Sequence, residues 1–321
     1  MKIDVIPYAG WQQCLRIANQ EAEIVVTAEV GPRVIRFGFI GEVNEFAEYS
    51  EQLGLVGGDE YRAYGGHRLW IAPEVVERTK HPDNLPVQWT IEGEVLRVTA
   101  PVEKGTGIQK SVRLWLNPQR NHVHVIHQIT NHNVWPVTLA VWALTVMAPG
   151  GRCIVPQEPY RPHPDFLLPV RPLVLWGYTD MSDPRWRWGR RYVQLKQDSS
   201  ARYPQKFGAL NTQGWAAYAN GDHLFLKRFS YDPRAQYPDF GCNCEFFTNQ
   251  RMLEVESLGG LVTLEPGESV THEEHWYLWR GVHVGESDEE IEAAVMPLLA
   301  QTGFDYAPAA HGSPAANAAV G

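Results

Sequence analysis

The stretch 242–279, CNCEFFTNQRMLEVESLGGLVTLEPGESVTHEEHWYLW, constrains the fold more than any other part of this chain. Its polar and apolar residues alternate in short runs, broken by Thr-Asn-Gln, Gly-Gly and Pro-Gly. That pattern predicts three consecutive β-strands joined by tight turns. On the middle strand, Leu253 and Val255 point one way, while Glu254 and Glu256 point the other. The Cα atoms of the two glutamates are then ~6.5–7 Å apart on one face. With the apolar pair turned to a core, both carboxylates occupy the outer, concave side. There, mutual repulsion and partial burial raise carboxylate pKa values toward the range useful to a general base.

The rest of the chain reads the same way. Alternating runs at 23–30, 33–40, 87–92, 95–102, 110–116, 122–130 and 137–147, then at 192–196, 215–219 and 223–229, fit strands bounded by Gly, Pro, Asn or Asp. Strands do not alternate with helices, which argues against a doubly wound sheet, and no fixed-period repeat suggests a propeller. The expectation is an all-β protein with one C-terminal helix. That helix spans about 288–302, with Ser287 and Glu290 as a capping box, an acidic first turn, and an apolar stripe of Ile291, Val295, Leu298 and Leu299. Pro297 should kink it or end it early. We read 1–304 as a single domain and the low-complexity segment 305–321 as a disordered tail.

Composition narrows the function. A net charge of −9 argues against nucleic acid or an anionic membrane as partner, since both require a basic surface. No apolar run approaches the ~20 residues of a membrane span, and the first residues lack a secretion-signal pattern, so a cytoplasmic location is expected. Four cysteines in 321 residues do not make a disulfide scaffold, and Cys242-x-Cys244 is not a zinc knuckle. Phosphate loops, dinucleotide fingerprints and G-x-S-x-G elbows are absent. The 12 Trp and 13 Tyr serve either as core packing or as flat platforms suited to the apolar faces of sugars.

Individual residues refine the picture. His67, beside Gly65 and Gly66, can approach a ligand closely and titrates where an acid catalyst must. Arg68 offers a planar fork for hydroxyls or a carboxylate, and Arg33 is a weaker candidate for the same task. His122, His124, His127 and His132 suggest a metal set, but a hydrated strand face is the simpler reading, and no metal site is assigned. His272-Glu273-Glu274-His275 is not a metalloprotease motif, because its histidines fall on opposite faces of a strand. Two long segments, 53–66 and 156–188, are either functional loops or cover for a sheet edge.

The C-terminal stretch also resembles the galactose mutarotase-like (aldose 1-epimerase-like) superfamily. Arg251-Met252-Leu253-Glu254 followed by Leu264-Glu265-Pro266-Gly267-Glu268 matches the family's glutamate and its L-x-P-G-E turn. Glu245-Phe246-Phe247-Thr248-Asn249 is similar to its aromatic-Thr-Gly-Asn strand end. Thr130-Asn131 with Pro136 is similar to its mid-domain turn, and Gly65-Gly66-His67 to its His-Gly-Gly element in a different order. The resemblance implies a two-sheet antiparallel β-supersandwich with a sugar site on the concave sheet. It further implies a divergent branch that acts on the anomeric centre of an aldose or sugar derivative, with a small carbohydrate as partner and no cofactor. Glu254 would accept the anomeric hydroxyl proton. The family's acid histidine falls at Trp142, which cannot donate a proton near neutral pH, so His67 is the replacement donor. Arg68, Glu256, Trp142, Arg33 and Asn249 complete the expected substrate contacts. Two other functions share the fold: a non-catalytic carbohydrate-binding protein with Trp142 as a stacking platform, and an enzyme that cleaves oligosaccharides or polysaccharides.

Overall fold

The computed structural model of the protein describes residues 2–303; the expected tail, 305–321, lies outside them. Two antiparallel sheets face each other. The first runs in the order Lys2–Tyr8, Trp11–Ala18, Ala22–Thr27, Arg33–Phe39, His67–Ala72, Val137–Met147, Leu253–Leu258, Cys244–Thr248, Gln205–Ala209 and Leu173–Leu175, and the short strand Val262–Leu264 also pairs with Val137–Met147. The second runs Trp186–Trp188, Tyr192–Lys196, Arg152–Pro156, Trp215–Asn220, His223–Phe229, Ser269–Arg280, His122–Asn131, Ile108–Leu116, Val95–Thr99 and Gln88–Glu92.

Nearly every expected strand is present, with ends displaced by a few residues. The additional ones, such as Lys2–Tyr8 and Gln205–Ala209, carry too little alternation to stand out. Stretch 242–279 forms four strands rather than three, because Val262–Leu264 precedes the Pro-Gly turn. The long segment 156–188 contributes a strand to the edge of each sheet, Leu173–Leu175 and Trp186–Trp188. The cysteines are free and buried.

One core fills the space between the sheets, built from inward residues such as Phe37, Val141, Val255 and Leu278. The C-terminal helix, Asp288–Leu299, packs Ile291 and Val295 on the outer side of the second sheet against Trp215 and Tyr277. Its capping box is formed as expected. Pro297 sits within the last turn, and the helix ends two residues later. Two four-residue helices, Val76–Thr79 and Pro238–Gly241, were not anticipated.

The sandwich interior also holds charge. Lys227 and Glu274 are fully buried and meet at 2.7 Å. Lys227 also donates to the Val255 carbonyl, and Trp276 Nε1 donates to Glu274 Oε2, so the pair is well satisfied. Removing one partner would leave an uncompensated charge in the core. Lys227→Met should therefore lower stability by about 3–5 kcal/mol, and adding Glu274→Leu should recover most of that loss in denaturant titrations.

Buried histidines give the fold a pH dependence. Burial, reinforced by neighbouring cations and imidazoles, keeps His67 and His127 below the ordinary 6.5. For the same first cause His122 falls to about 3, and His272 and His275 to about 4. Below pH 6.5 the unfolded chain therefore binds protons that the folded chain refuses, so stability falls as pH falls. Buried Glu45, Glu245 and Glu256, with raised pKa values, act in the opposite direction, but the histidines outnumber them. Urea midpoints measured from pH 7 down to 4.5 should decline.

Candidate active site on the first sheet

Three neighbouring strands set the geometry. In the register, Leu144 pairs with both Arg68 and Glu256, Trp142 with Trp70, and Val146 with Glu254. Paired residues share a face, so Arg68, Trp70, Trp142, Glu254 and Glu256 all lie on the side of the first sheet that faces away from the core. The next strands add Glu245 opposite Glu256, and then Lys206.

These side chains form one connected cluster. Arg68 donates through Nη2 to Glu254 Oε1 at 2.8 Å, and its guanidinium lies 4.5 Å over the Trp70 ring. Trp70 meets Trp142 edge-on at 5.3 Å. Trp142 Nε1 donates to Glu256 Oε2 at 2.7 Å. The Lys206 ammonium stands 3.7 Å from Glu256 and 2.6 Å from Glu245, between the rings of Trp142 and Trp176. The charged groups are buried, whereas Trp70, Trp176 and Phe247 are half-buried and Tyr178 is exposed, so the aromatic rim reaches the surface.

Two of the three carboxyls are shifted by burial. Burial raises Glu256 to about 7, against the opposing pull of Lys206. Burial also raises Glu245 well above the ordinary carboxylate range. Glu254 is the carboxylate held by Arg68, whose Nε and Nη1, like Glu256 Oε1, are buried without a hydrogen-bond partner. Among the described residues, no imidazole bonds to or stacks on this cluster.

His67 is the principal correction. It immediately precedes Arg68 on the strand, so it points into the sandwich. It is 1% exposed, with Nδ1 on Thr145 Oγ1 at 2.9 Å and Nε2 on His127 Nε2 at 2.7 Å. It cannot reach a molecule lying on Glu254. Arg33 shares the Arg68 face but is consumed in structure, donating to the carbonyls of Ala63 and Gly65 and pairing with Asp83 at 2.7 Å. Asn249 shapes the turn after Thr248, where its Oδ1 accepts from the Arg251 backbone N–H at 2.8 Å. The histidine face expected to be hydrated is not so: His122, His124 and His127 are buried, and only His132 is exposed. His122 stacks on His275 and Tyr277.

Sequence reasoning missed Lys206 and Trp70 as members of the cluster. Lys206 lies on a strand, QKFGA, whose pattern is too weak to read. Trp70 follows Arg68 at the same-face spacing of two and could have been found from it.

No known family description matches the chain, and no curated protein matches it at a significant level. Solved structures do. A candidate aldose 1-epimerase from Klebsiella pneumoniae subsp. pneumoniae aligns with a TM-score of 0.57 at 15% identity, covering 95% of this chain and 88% of the other. A candidate mutarotase from Salmonella typhimurium aligns at 0.54 and 8% identity, covering 87% and 94%. A galactose mutarotase related enzyme from Lactobacillus acidophilus aligns at 0.52 and 10%, covering 86% and 99%. The chain has the galactose mutarotase-like fold. At these identities the mutarotase-like likeness is one of architecture, a divergent form of the sandwich.

Trp142 holds the ionised form of Glu256 through its indole N–H. Trp142→Phe, which keeps the ring and removes that donor, should move the Glu256 titration above about 7 by roughly one pH unit. Carboxyl carbon NMR of labelled glutamate checks this.

Proposed function

We propose that the protein is carbohydrate-active and works at the anomeric centre of an aldose or sugar derivative, bound against the Arg68–Glu254 and Trp142–Glu256 face. The observation that supports this most is the pair of carboxyls on one strand in different surroundings, one ion-paired and the other buried against an indole N–H. Arg68 pairs with Glu254 at 2.8 Å, while burial brings Glu256 to about 7, so Glu256 is partly protonated at neutral pH. Two such groups side by side are the arrangement expected of an acid–base pair.

In this reading Glu254 accepts the proton of the anomeric hydroxyl. Glu256, in place of the histidine that the sequence suggested, donates through Oε1 to the ring oxygen. The ring opens, the aldehyde turns, and reclosure gives the other anomer. Arg68 Nε and Nη1 bind substrate oxygens, and the half-buried Trp70 and Trp176 supply apolar platforms for the sugar's CH face.

A second reading, carbohydrate binding without turnover, has its own support: Trp142 stands where the fold's enzymes are expected to carry an acid, and Glu254 is already ion-paired. Glycosidic cleavage fits less well, because both carboxyls come from one strand rather than from opposite sides of a groove.

Anomer interconversion followed by NMR over a panel of aldoses and uronic acids tests the proposal. Acceleration should fall by about 100-fold or more in Glu254→Gln and in Glu256→Gln. Saturable binding with unchanged interconversion would reject catalysis in favour of binding alone.

A further inference from the structure

A crevice of about 810 Å³ lies where the turn after Leu253–Leu258 and the segment 230–237 meet the second-sheet strand Ser269–Arg280. His272, Gly259, Thr271, Asp232, Tyr237 and Leu261 are among the residues that line it. His272 is 5% exposed. Its Nε2 lies 2.6 Å from Ser257 Oγ, which in turn lies 2.6 Å from Glu274 Oε1.

The direction of each hydrogen bond in this chain follows from the groups. Glu274 also receives Lys227 and the Trp276 indole, and as a carboxylate it only accepts. Ser257 has a single proton, and at 2.6 Å from Glu274 that proton must point to the carboxylate. Ser257 Oγ therefore accepts from His272, and the imidazole carries its proton on Nε2. In the neutral ring Nδ1 is left with a bare lone pair. Burial, which holds His272 near 4, keeps the ring neutral at neutral pH.

Gly259 provides an independent observation. A Cβ built there would stand 3.7 Å from His272 Nδ1, with Val141 at 3.8 Å as its other neighbour. These are ordinary contacts, and Gly259 is not among the glycines with positive φ. Neither backbone nor crowding demands a glycine. What its missing side chain does is leave the Nδ1 edge uncovered.

We infer that this crevice is a second ligand site, whose occupant is a small polyhydroxylated molecule that donates a hydroxyl to His272 Nδ1. The Asp232 carboxylate, which also accepts from Arg234, offers a further hydroxyl acceptor, and Tyr237 and Leu261 offer apolar surface for a CH face. Serving as an acceptor matches a ring that does not protonate at neutral pH.

The test uses full-length protein with ¹⁵N-labelled histidine, titrated with glucose, maltose and cellobiose. A saturable displacement of the His272 Nδ1 resonance is expected with at least one sugar. It should persist in Glu254→Gln, which separates it from the Glu254 face, and weaken by roughly tenfold or more in Gly259→Val. Three results would overturn the proposal: no sugar moves the resonance, Gly259→Val responds like the parent, or putrescine displaces it while the sugars do not. A folded spectrum of Gly259→Val keeps the comparison valid, and Gly259→Ala serves if the valine does not fold.

Discussion

The two-residue alternation of three central strands, His67–Ala72, Val137–Met147 and Leu253–Leu258, is the constraint on which the rest of the molecule depends. Because the sandwich must bury one face of each strand, neighbouring residues are sent into different chemical environments. His67 goes inward and Arg68 outward; Glu256 goes outward and Ser257 inward. A sheet one residue thick thus separates an interior network around Glu274 from an outer cluster around Glu254 and Glu256. A slip of one residue in any of the three would exchange the two sets.

That rule also decides what could be read from the chain. Glu254 and Glu256 were placed correctly because Leu253 and Val255 between them declare the core side. The same rule, applied to His67-Arg68-Leu69, would have put His67 with Leu69 in the interior. The two glycines before it instead suggested a ligand approach. Both glycines have positive φ, and a Cβ at either would strike the backbone of residues 47 or 34, so they serve chain packing there. Lys206 and Trp176 stayed hidden for a different reason. Their strand and loop have no periodicity, and only the sheet order, in which Gln205–Ala209 lies two strands from Leu253–Leu258, brings them to the glutamates.

The overall architecture was more legible than the site because it is specified redundantly. Thirteen predicted strands, a capping box and the absence of strand–helix alternation all point to the same answer, and displaced strand ends do not alter it. A site has no such redundancy. It depends on long-range pairings such as Trp142 with Glu256, 114 residues apart in sequence.

The two charged clusters differ in a way that bears on their purpose. Taking ions out of water is costly, and buried pairs seldom add net stability over apolar packing. The interior cluster offsets that cost by near-complete satisfaction: Glu274 receives Lys227, Ser257 and Trp276, and Lys227 also reaches a carbonyl. The outer cluster does not. Arg68 Nε and Nη1 and Glu256 Oε1 are buried with no partner, beneath a rim of half-buried rings. Structural requirements alone would favour apolar residues at those positions. Donors and acceptors held unsatisfied on the face of the sheet are what a polar ligand would complete, and this unmet hydrogen-bonding demand, more than the presence of charge, is what supports the proposal of a binding surface there.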